Sequence, residues 1–201
     1  AATPALDRLA REGVLFEQAT TSAPITLPAH STIFTGRFPP AHGVRDNGGF
    51  YLDPAQLTLA EILRERQVRT GAFVAAYVLD AKWGLDQGFE TYFDNFDLSK
   101  YRGISLGDIQ RPAHQVVDEA LAWLDGARGS RFFGWLHLYD PHTPYEAPEP
   151  YRSRFEGRPY DGEIAYTDAQ VGRVVEYLGR HGELERTLGV IAGDHGERLG
   201  D

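Results

Sequence analysis

The chain has 201 residues with 29 Asp and Glu against 20 Lys and Arg, which gives a formal net charge of −9. Hydrophobic residues make up 42% and aromatic residues 12%, which excludes a disordered chain and is enough for a substantial core. The acidic balance argues against a non-specific nucleic-acid binder, and the absence of Cys excludes disulfides, thiolate metal sites and a cysteine nucleophile.

The N-terminal part is predicted to hold two short helices separated by a strand. Thr3 and Pro4 are typical of a helix start, and Gly36 is typical of a helix end. The predicted elements in chain order are a helix from Thr3 to Gly13, a strand over 14–20, a helix over 27–35 and a loop over 37–56 rich in Pro and Gly.

The remainder alternates strands with helices. Thr58 and Glu61 form a capping box that opens a helix to about residue 67. The further predicted elements are a strand over 70–76, an irregular region over 78–110, a helix over 112–124, a strand over 132–139, a loop over 140–160, a helix opening at Asp161 and a strand over 188–192. This alternation predicts an α/β fold with a mainly parallel sheet covered by helices, whose function gathers at the carboxyl ends of the strands.

One group of polar residues follows the last predicted strand. Asp194 and His195 lie side by side between two glycines, and a carboxylate beside an imidazole at a strand end suits a divalent cation. The alternative is an ordinary turn, because Asp and Gly are common turn residues.

A second group begins the helix over 27–35. Thr26 precedes a helix whose free N–H groups attract anions, so its hydroxyl is placed to attack a bound phosphate. A nearby metal would lower the pKa of that hydroxyl. The alternative is that Thr26 is only an N-cap.

A third group follows the strand over 132–139. His142 lies between Pro141 and Pro144, whose rings restrict the loop and so favour a defined direction for the imidazole. His142 is a candidate contact for an anionic substrate, and Asp140 is a candidate proton acceptor or metal ligand. The alternative is a surface loop with a structural histidine, and His137 is predicted to be a hydrogen-bonded core histidine.

Several stretches occur in the order found in one known family. They are 3–13, 27–36 with its Leu-Pro-Ala-His start, Gly88-Phe89-Glu90, Pro141-His142-Thr143-Pro144 and 193–197 with its Gly-Asp-His-Gly-Glu sequence. Together they resemble the sulfatase family of the alkaline phosphatase superfamily, across essentially the whole chain.

The resemblance implies an α/β fold with a central mixed sheet and a divalent-metal site. The position of the family's nucleophile falls on Thr26, ten residues before Gly36. The family's histidine that contacts the sulfate or phosphate falls on His142. Its metal-binding pair falls on Asp194 and His195, with Thr26 as a further ligand activated by the metal. His30 is expected to orient the nucleophile or the anion.

Two departures bear on the substrate. A typical sulfatase has a Cys or Ser that is oxidised to formylglycine, with an Arg four residues later, whereas this chain has Thr26 and His30. Oxidation of Thr gives a ketone, so Thr26 is expected to act directly, as Thr or Ser does in the phosphatases, phosphodiesterases and phospho-alcohol transferases of the superfamily.

The second departure concerns the anion contacts. The Lys and His of the family's Lys-Trp-His motif would fall on Ala75 and Tyr77. The candidates to replace them as anion contacts are Arg37, Arg45 and Lys82.

We therefore expect residues 1–201 to be a partial sulfatase-like catalytic domain, truncated at both ends, from a metal-dependent hydrolase of sulfate or phosphate esters. Alternatives are a phospho-alcohol transferase or phosphodiesterase, or a non-catalytic binding member. The expected metal is calcium, zinc or manganese, and the expected substrate is an anionic ester that is small, glycan-borne or lipid-linked, not a nucleic acid. The resemblance suggests a periplasmic, extracellular or membrane-associated parent, and no apolar run reaches the roughly 18 residues of a membrane span.

Overall fold

A three-stranded parallel sheet forms the centre of the protein in a computed structural model that describes residues 1–100 and 105–197. Its strands are β1 (Arg69–Val74), β2 (Thr91–Phe93) and β3 (Phe132–His137), in the spatial order β2–β1–β3. Ala72 of the central strand lies opposite Tyr92 on one side and Trp135 on the other. The parallel sheet confirms the predicted α/β class.

Helices of very different length surround this sheet in the described part of the chain. The α-helices are α1 (Pro4–Glu12), α2 (Thr26–Thr35), α3 (Pro39–His42), α4 (Leu59–Glu65), α5 (Ala113–Ala127), α6 (Tyr151–Arg154) and α7 (Pro159–Arg180). Short 3-10 helices cover Tyr77–Leu79, Ala81–Trp83, Leu98–Lys100, Leu106–Asp108 and Leu184–Arg186. None of the helices among the described residues combines the length and the apolar character that crossing a bilayer requires.

The two faces of the sheet are covered by different helices. On one face, Trp123 of α5 packs over Gly71, where an added Cβ would lie 2.6 Å from the indole ring. On the other face, Trp135 of β3 contacts Phe34 and His30 of α2, with ring centroids 4.6 Å and 5.3 Å away. Helices therefore cover both faces, as predicted.

The Gly-Phe-Glu motif fixes the entry into β2. Gly88 has φ +89°, and a Cβ there would lie 2.2 Å from the backbone nitrogen of Glu61 in α4, so only glycine allows this approach. Phe89 then stacks on Phe133 and Trp135 at centroid distances of 5.7 Å and 6.0 Å. This part of the family pattern serves packing.

A buried carboxylate joins the first helix to the last. Asp168 of α7 is 1% exposed and accepts the N–H groups of Ala5 and Leu6 at 3.0 Å and 2.8 Å. Thr3 occupies the N-cap position, as predicted, but its hydroxyl donates to Asp7 and makes no capping bond. The carboxylate of α7 therefore satisfies the orphan donors of α1 from a distant part of the chain.

Two predicted strands do not form. Residues 14–20 and 188–192 belong to no strand, and their apolar side chains are exposed, with Val14 at 79% and Leu188 at 90%. A strand requires a hydrogen-bonded neighbour, and no described strand pairs with either segment. Conversely, β2 forms within the region predicted to be irregular, because it pairs with β1.

Candidate functional site

Thr26 is the first residue of α2 and is 1% exposed. The N-cap is Ile25, in an extended conformation and without a side-chain capping bond, so the Thr26 hydroxyl is not used as a cap. Its Oγ1 atom lies 3.1 Å from Nε2 of His195. The structure thus brings together two predicted site residues that are 169 positions apart.

The direction of this hydrogen bond follows from the other nitrogen of the same ring. Nδ1 of His195 lies 2.9 Å from the carbonyl oxygen of Gly196, and because a carbonyl only accepts, Nδ1 carries the proton. In a neutral ring Nε2 is then an acceptor, and the Thr26 hydroxyl donates to it. A bond from Nδ1–H to a carbonyl also sets the tautomer that presents Nε2 to a metal.

Asp194 and His30 complete a group around Thr26. Oδ2 of Asp194 lies 3.5 Å from Nε2 of His195 and 3.6 Å from Nδ1 of His30. Nδ1 of His30 donates to the main-chain carbonyl of Thr26 at 2.9 Å. Burial lowers the pKa of His30 although the nearby Asp194 raises it, so we assign His30 as a neutral ring that holds the first turn of α2 in place.

The donor set around Asp194 fits a divalent cation. Oδ2 of Asp194 is buried and has no hydrogen-bond partner among residues 1–100 and 105–197, and a carboxylate oxygen in that state is stabilised by a cation. Within the described residues there is no group of three or more His, Cys, Asp or Glu side chains arranged to hold a metal. The available ligands are Asp194, His195 and the hydroxyl of Thr26, a set that suits calcium, zinc or manganese.

The N-terminus of α2 offers less to an anion than the sequence predicts. The N–H of Leu27 donates to Oδ1 of Asn47 at 2.8 Å, Pro28 has no N–H, and the N–H of Ala29 donates to Ile25 at 3.1 Å. Among the first four helical residues, only the N–H of Thr26 is without a partner in the described structure. Asn47 was not predicted from the sequence, and it anchors the helix that carries Thr26.

His142 lies against the ring of Tyr139. The two rings are stacked with centroids 4.3 Å apart and planes 18° apart. Nδ1 of His142 donates to the carbonyl of Thr143 at 2.8 Å, which leaves Nε2 for other partners. Tyr139 is 7% exposed, and burial raises its pKa to about 12. Its place at the end of a predicted apolar strand indicated only a core residue.

Asp140 has a structural role. Its Oδ1 accepts the N–H of Ala113 at 3.0 Å and so caps α5, and burial raises its pKa to about 6. His137 is a core histidine, as predicted, and burial lowers its pKa well below the usual value. Its Nδ1, however, has no hydrogen-bond partner among the described residues, because the ring packs against the rings of His30, Trp135 and Tyr139.

The positions of the family's Lys and His are occupied by groups that are not free anion contacts. Ala75 is fully buried, and Tyr77 accepts a hydrogen bond from Lys82, whose Nζ also lies 3.9 Å from the centroid of the Tyr77 ring. Arg37 donates to Gln56 at 3.3 Å on the exposed surface.

Comparison with known proteins places this chain among enzymes of one family. A sequence model of the sulfatase family matches residues 1–201. The ulvan-active sulfatase of Formosa agariphila is 26% identical over 98% of this chain and 46% of its own length. Human arylsulfatase A is 24% identical over 96% of this chain and 47% of its own length. This chain therefore spans about half the length of these curated relatives.

Solved structures agree on the fold. The phosphonate monoester hydrolase of Agrobacterium radiobacter superimposes with a TM-score of 0.73 at 20% identity, over 92% of this chain and 56% of that chain. At this identity the match shows the alkaline-phosphatase-like α/β architecture.

Proposed function

Because the chain belongs to the sulfatase family, we propose that it forms part of a metal-dependent hydrolase of sulfate or phosphate esters in which Thr26 is the nucleophile. The observation that carries the proposal is the 3.1 Å bond from the Thr26 hydroxyl to Nε2 of His195, beside a buried Asp194 oxygen that has no partner within residues 1–100 and 105–197. A buried hydroxyl held by an imidazole in this way is typical of an activated nucleophile.

The residues of the chain have separate roles in this proposal. Oγ1 of Thr26 forms the bond to phosphorus or sulfur, the bond to the leaving oxygen breaks, and water later hydrolyses the threonine ester. His30 holds the carbonyl of Thr26 and thereby the direction of its side chain. When both ring nitrogens of His142 carry protons, Nε2–H donates to the charged oxygens of the substrate and stabilises the charge that develops on them.

A divalent metal fits beside these residues. Asp194, His195 and the Thr26 oxygen would hold it, and because Nε2 of His195 has a single lone pair, the metal would take the place of the Thr26 proton at that nitrogen. It would supply the Lewis acidity that lowers the pKa of the Thr26 hydroxyl. The bond from Nδ1–H of His195 to the Gly196 carbonyl, which leaves the lone pair on Nε2, supports this assignment, as does the Asp194 oxygen that has no partner in the described part of the chain. Calcium, zinc and manganese remain equal candidates on these ligands.

Thr26 favours phosphate over sulfate esters. A threonine has no route to the aldehyde hydrate of the formylglycine sulfatases, but its hydroxyl is a direct nucleophile as it stands. A phosphodiesterase or phospho-alcohol transferase is therefore the second candidate, in which a diester is cleaved or a second alcohol replaces water. The proposed substrate class is an anionic ester, small, glycan-borne or lipid-linked.

The test is paired turnover by the full-length protein. We would assay 4-nitrophenyl phosphate, bis(4-nitrophenyl) phosphate and 4-nitrophenyl sulfate with calcium, zinc and manganese, and follow the Thr26 peptide by mass spectrometry. Thr26→Ala is expected to lower the rate by at least about 10³-fold, whereas Thr26→Ser keeps the hydroxyl and retains most of the activity. A phosphoryl adduct on the Thr26 peptide would support the covalent route.

Each other outcome rejects part of the proposal. Near-normal rates in Thr26→Ala would reject Thr26 as the nucleophile. Dominant turnover of the sulfate ester would reject the preference for phosphate. No turnover of any ester by the metal-loaded protein would favour the non-catalytic member.

A further inference from the structure

A hydrogen bond joins two loops of the candidate site. One is the anion-contact loop (residues 140–150), which carries His142, and the other is the metal-ligand loop (residues 193–197), which carries Asp194 and His195. The hydroxyl of Tyr145 in the first loop donates to Oε1 of Glu197 in the second at 2.9 Å. Both side chains of this bond are partly buried, so the bond is partly shielded from competing water.

The metal-ligand loop has few other attachments. No backbone hydrogen bond joins it to another element among residues 1–100 and 105–197. In that part of the chain its polar contacts with other elements are made by three side chains, two of them with α2 and one with the anion-contact loop: His195 with Thr26, Asp194 with His30, and Glu197 with Tyr145. The bond from Tyr145 is therefore the contact that sets one loop against the other.

The ring of Tyr145 is held separately from its hydroxyl. It meets the ring of Tyr160, in the first turn of α7, with centroids 5.5 Å apart and planes 65° apart. An edge-to-face pair of aromatic rings is a favourable contact that does not need the phenol oxygen. Removal of the Tyr145 hydroxyl therefore breaks the link to Glu197 and keeps the packing of the anion-contact loop on α7.

We propose that Tyr145 is a positioning residue that, by holding Glu197, sets the metal-ligand loop against the anion-contact loop. The two loops must engage the same ester at the same time, so a small error in their relative placement lowers the rate of the reaction. This inference rests on the proposed function, in which His142 contacts the substrate while Asp194 and His195 hold the metal.

Hydrogen–deuterium exchange of the full-length protein without metal tests the link directly. Tyr145→Phe is expected to increase the exchange rate of peptides from the metal-ligand loop by at least about threefold, because the loop loses one of its attachments and opens more often. Peptides from β1 are expected to exchange equally in both proteins and serve as the internal reference.

Metal binding and turnover of the same variant separate the two sides of the site. We would titrate manganese into the metal-free protein by calorimetry and measure turnover of 4-nitrophenyl phosphate at saturating manganese. Tyr145→Phe is expected to raise the Kd for manganese about 3- to 10-fold and to lower kcat about 10-fold, because the ligands are less preorganised. KM for the ester is expected to change less than about threefold, because His142 keeps its stacking on Tyr139.

Tyr160→Phe is the matched control. It removes the hydroxyl of the neighbouring ring but keeps both the ring pair and the bond from Tyr145 to Glu197, so loop exchange, Kd and kcat are expected to stay unchanged. Glu197→Ala is expected to reproduce Tyr145→Phe. The double variant is expected to lose no more than the more affected single variant, because both substitutions remove the same bond. Thermal unfolding establishes that the compared proteins are folded.

Three results would overturn the positioning role. They are unchanged loop exchange and manganese Kd in Tyr145→Phe, effects that multiply in the double variant, and equal losses in Tyr145→Phe and Tyr160→Phe. Failure of the proposed function is recognised separately. If Thr26→Ala keeps normal turnover, or the parent protein does not bind manganese, the exchange of the metal-ligand loop still decides whether Tyr145 holds it.

Discussion

Two partly buried acidic side chains illustrate how similar residues acquire different tasks. Asp194 and Asp140 each have an Oδ2 atom that is buried and without a hydrogen-bond partner among the described residues. Asp194 faces two imidazoles and lies beside the Thr26 hydroxyl, a group we call the Thr26 cluster. Asp140 faces the N–H of Ala113 and the carboxylate of Glu163, a group we call the α5 cap.

The groups around each carboxylate decide whether it is suited to bind a cation. In the α5 cap, burial raises the pKa of Asp140 to about 6, and burial together with the negative charge of Asp140 raises that of Glu163 to about 7. These two groups are stabilised in their protonated forms, which do not bind cations well. In the Thr26 cluster, the lone-pair nitrogen Nε2 of His195 and the Thr26 hydroxyl lie near the carboxylate instead, which is a ligand environment.

The same substitution in both groups gives the largest expected contrast. Asp194→Asn is expected to lower metal-dependent turnover by at least about 100-fold, because an amide is a much poorer cation ligand than a carboxylate. Asp140→Asn is expected to keep activity within about threefold, since its amide oxygen still accepts the N–H of Ala113. Initial rates over a metal titration measure both effects, and equal losses in the two variants would contradict the division drawn here.

The pH dependence of stability sharpens the comparison. Glu163 has a pKa raised from 4.5 to about 7, so between these values the folded protein binds more protons than the unfolded chain. Its contribution to the free energy of unfolding is therefore fully present below about pH 4.5 and is lost as the pH rises through about 7, by up to about 3 kcal/mol. Glu163→Gln is expected to flatten this decline.

Urea unfolding at pH 5 and pH 7.5, followed by circular dichroism, measures the decline. The Gln side chain keeps the size of Glu163 and removes its titration. An equally steep loss of stability in Glu163→Gln would show that other groups, Asp140 first, carry the pH dependence.

The smallest expected effect concerns the edge of the α5 cap. The Tyr166 hydroxyl accepts the N–H of His114 at 3.0 Å and lies 2.8 Å from Nδ1 of the same residue. Tyr166→Phe is expected to lower the free energy of unfolding by about 1 kcal/mol, the usual net value of a buried hydrogen bond. Denaturant midpoints of the two proteins check this, and a loss of activity without a loss of stability would link the α5 cap to the site after all.

Local signals in the sequence determined a large part of the fold. Thr58 and Glu61 form the predicted capping box at the start of α4, and Gly36 ends α2 with a left-handed φ of +64°. The apolar runs that became β1 and β3 were recognisable because a strand buried on both faces needs few polar residues. The order of the family motifs likewise predicted Thr26, Asp194 and His195 as site residues, and these three lie together in the structure.

Only the tertiary structure determines which side chains come into contact. The segments over 14–20 and 188–192 have the composition of strands but form none, because pairing depends on a neighbour and not on the segment itself. Asp140 is directed towards α5, and Tyr139 towards the rings of His137 and His142, although the two residues are adjacent in the sequence. The chemical type of each side chain is set by the sequence, but its partner, and with it its pKa and its role, is set by the elements that pack around it.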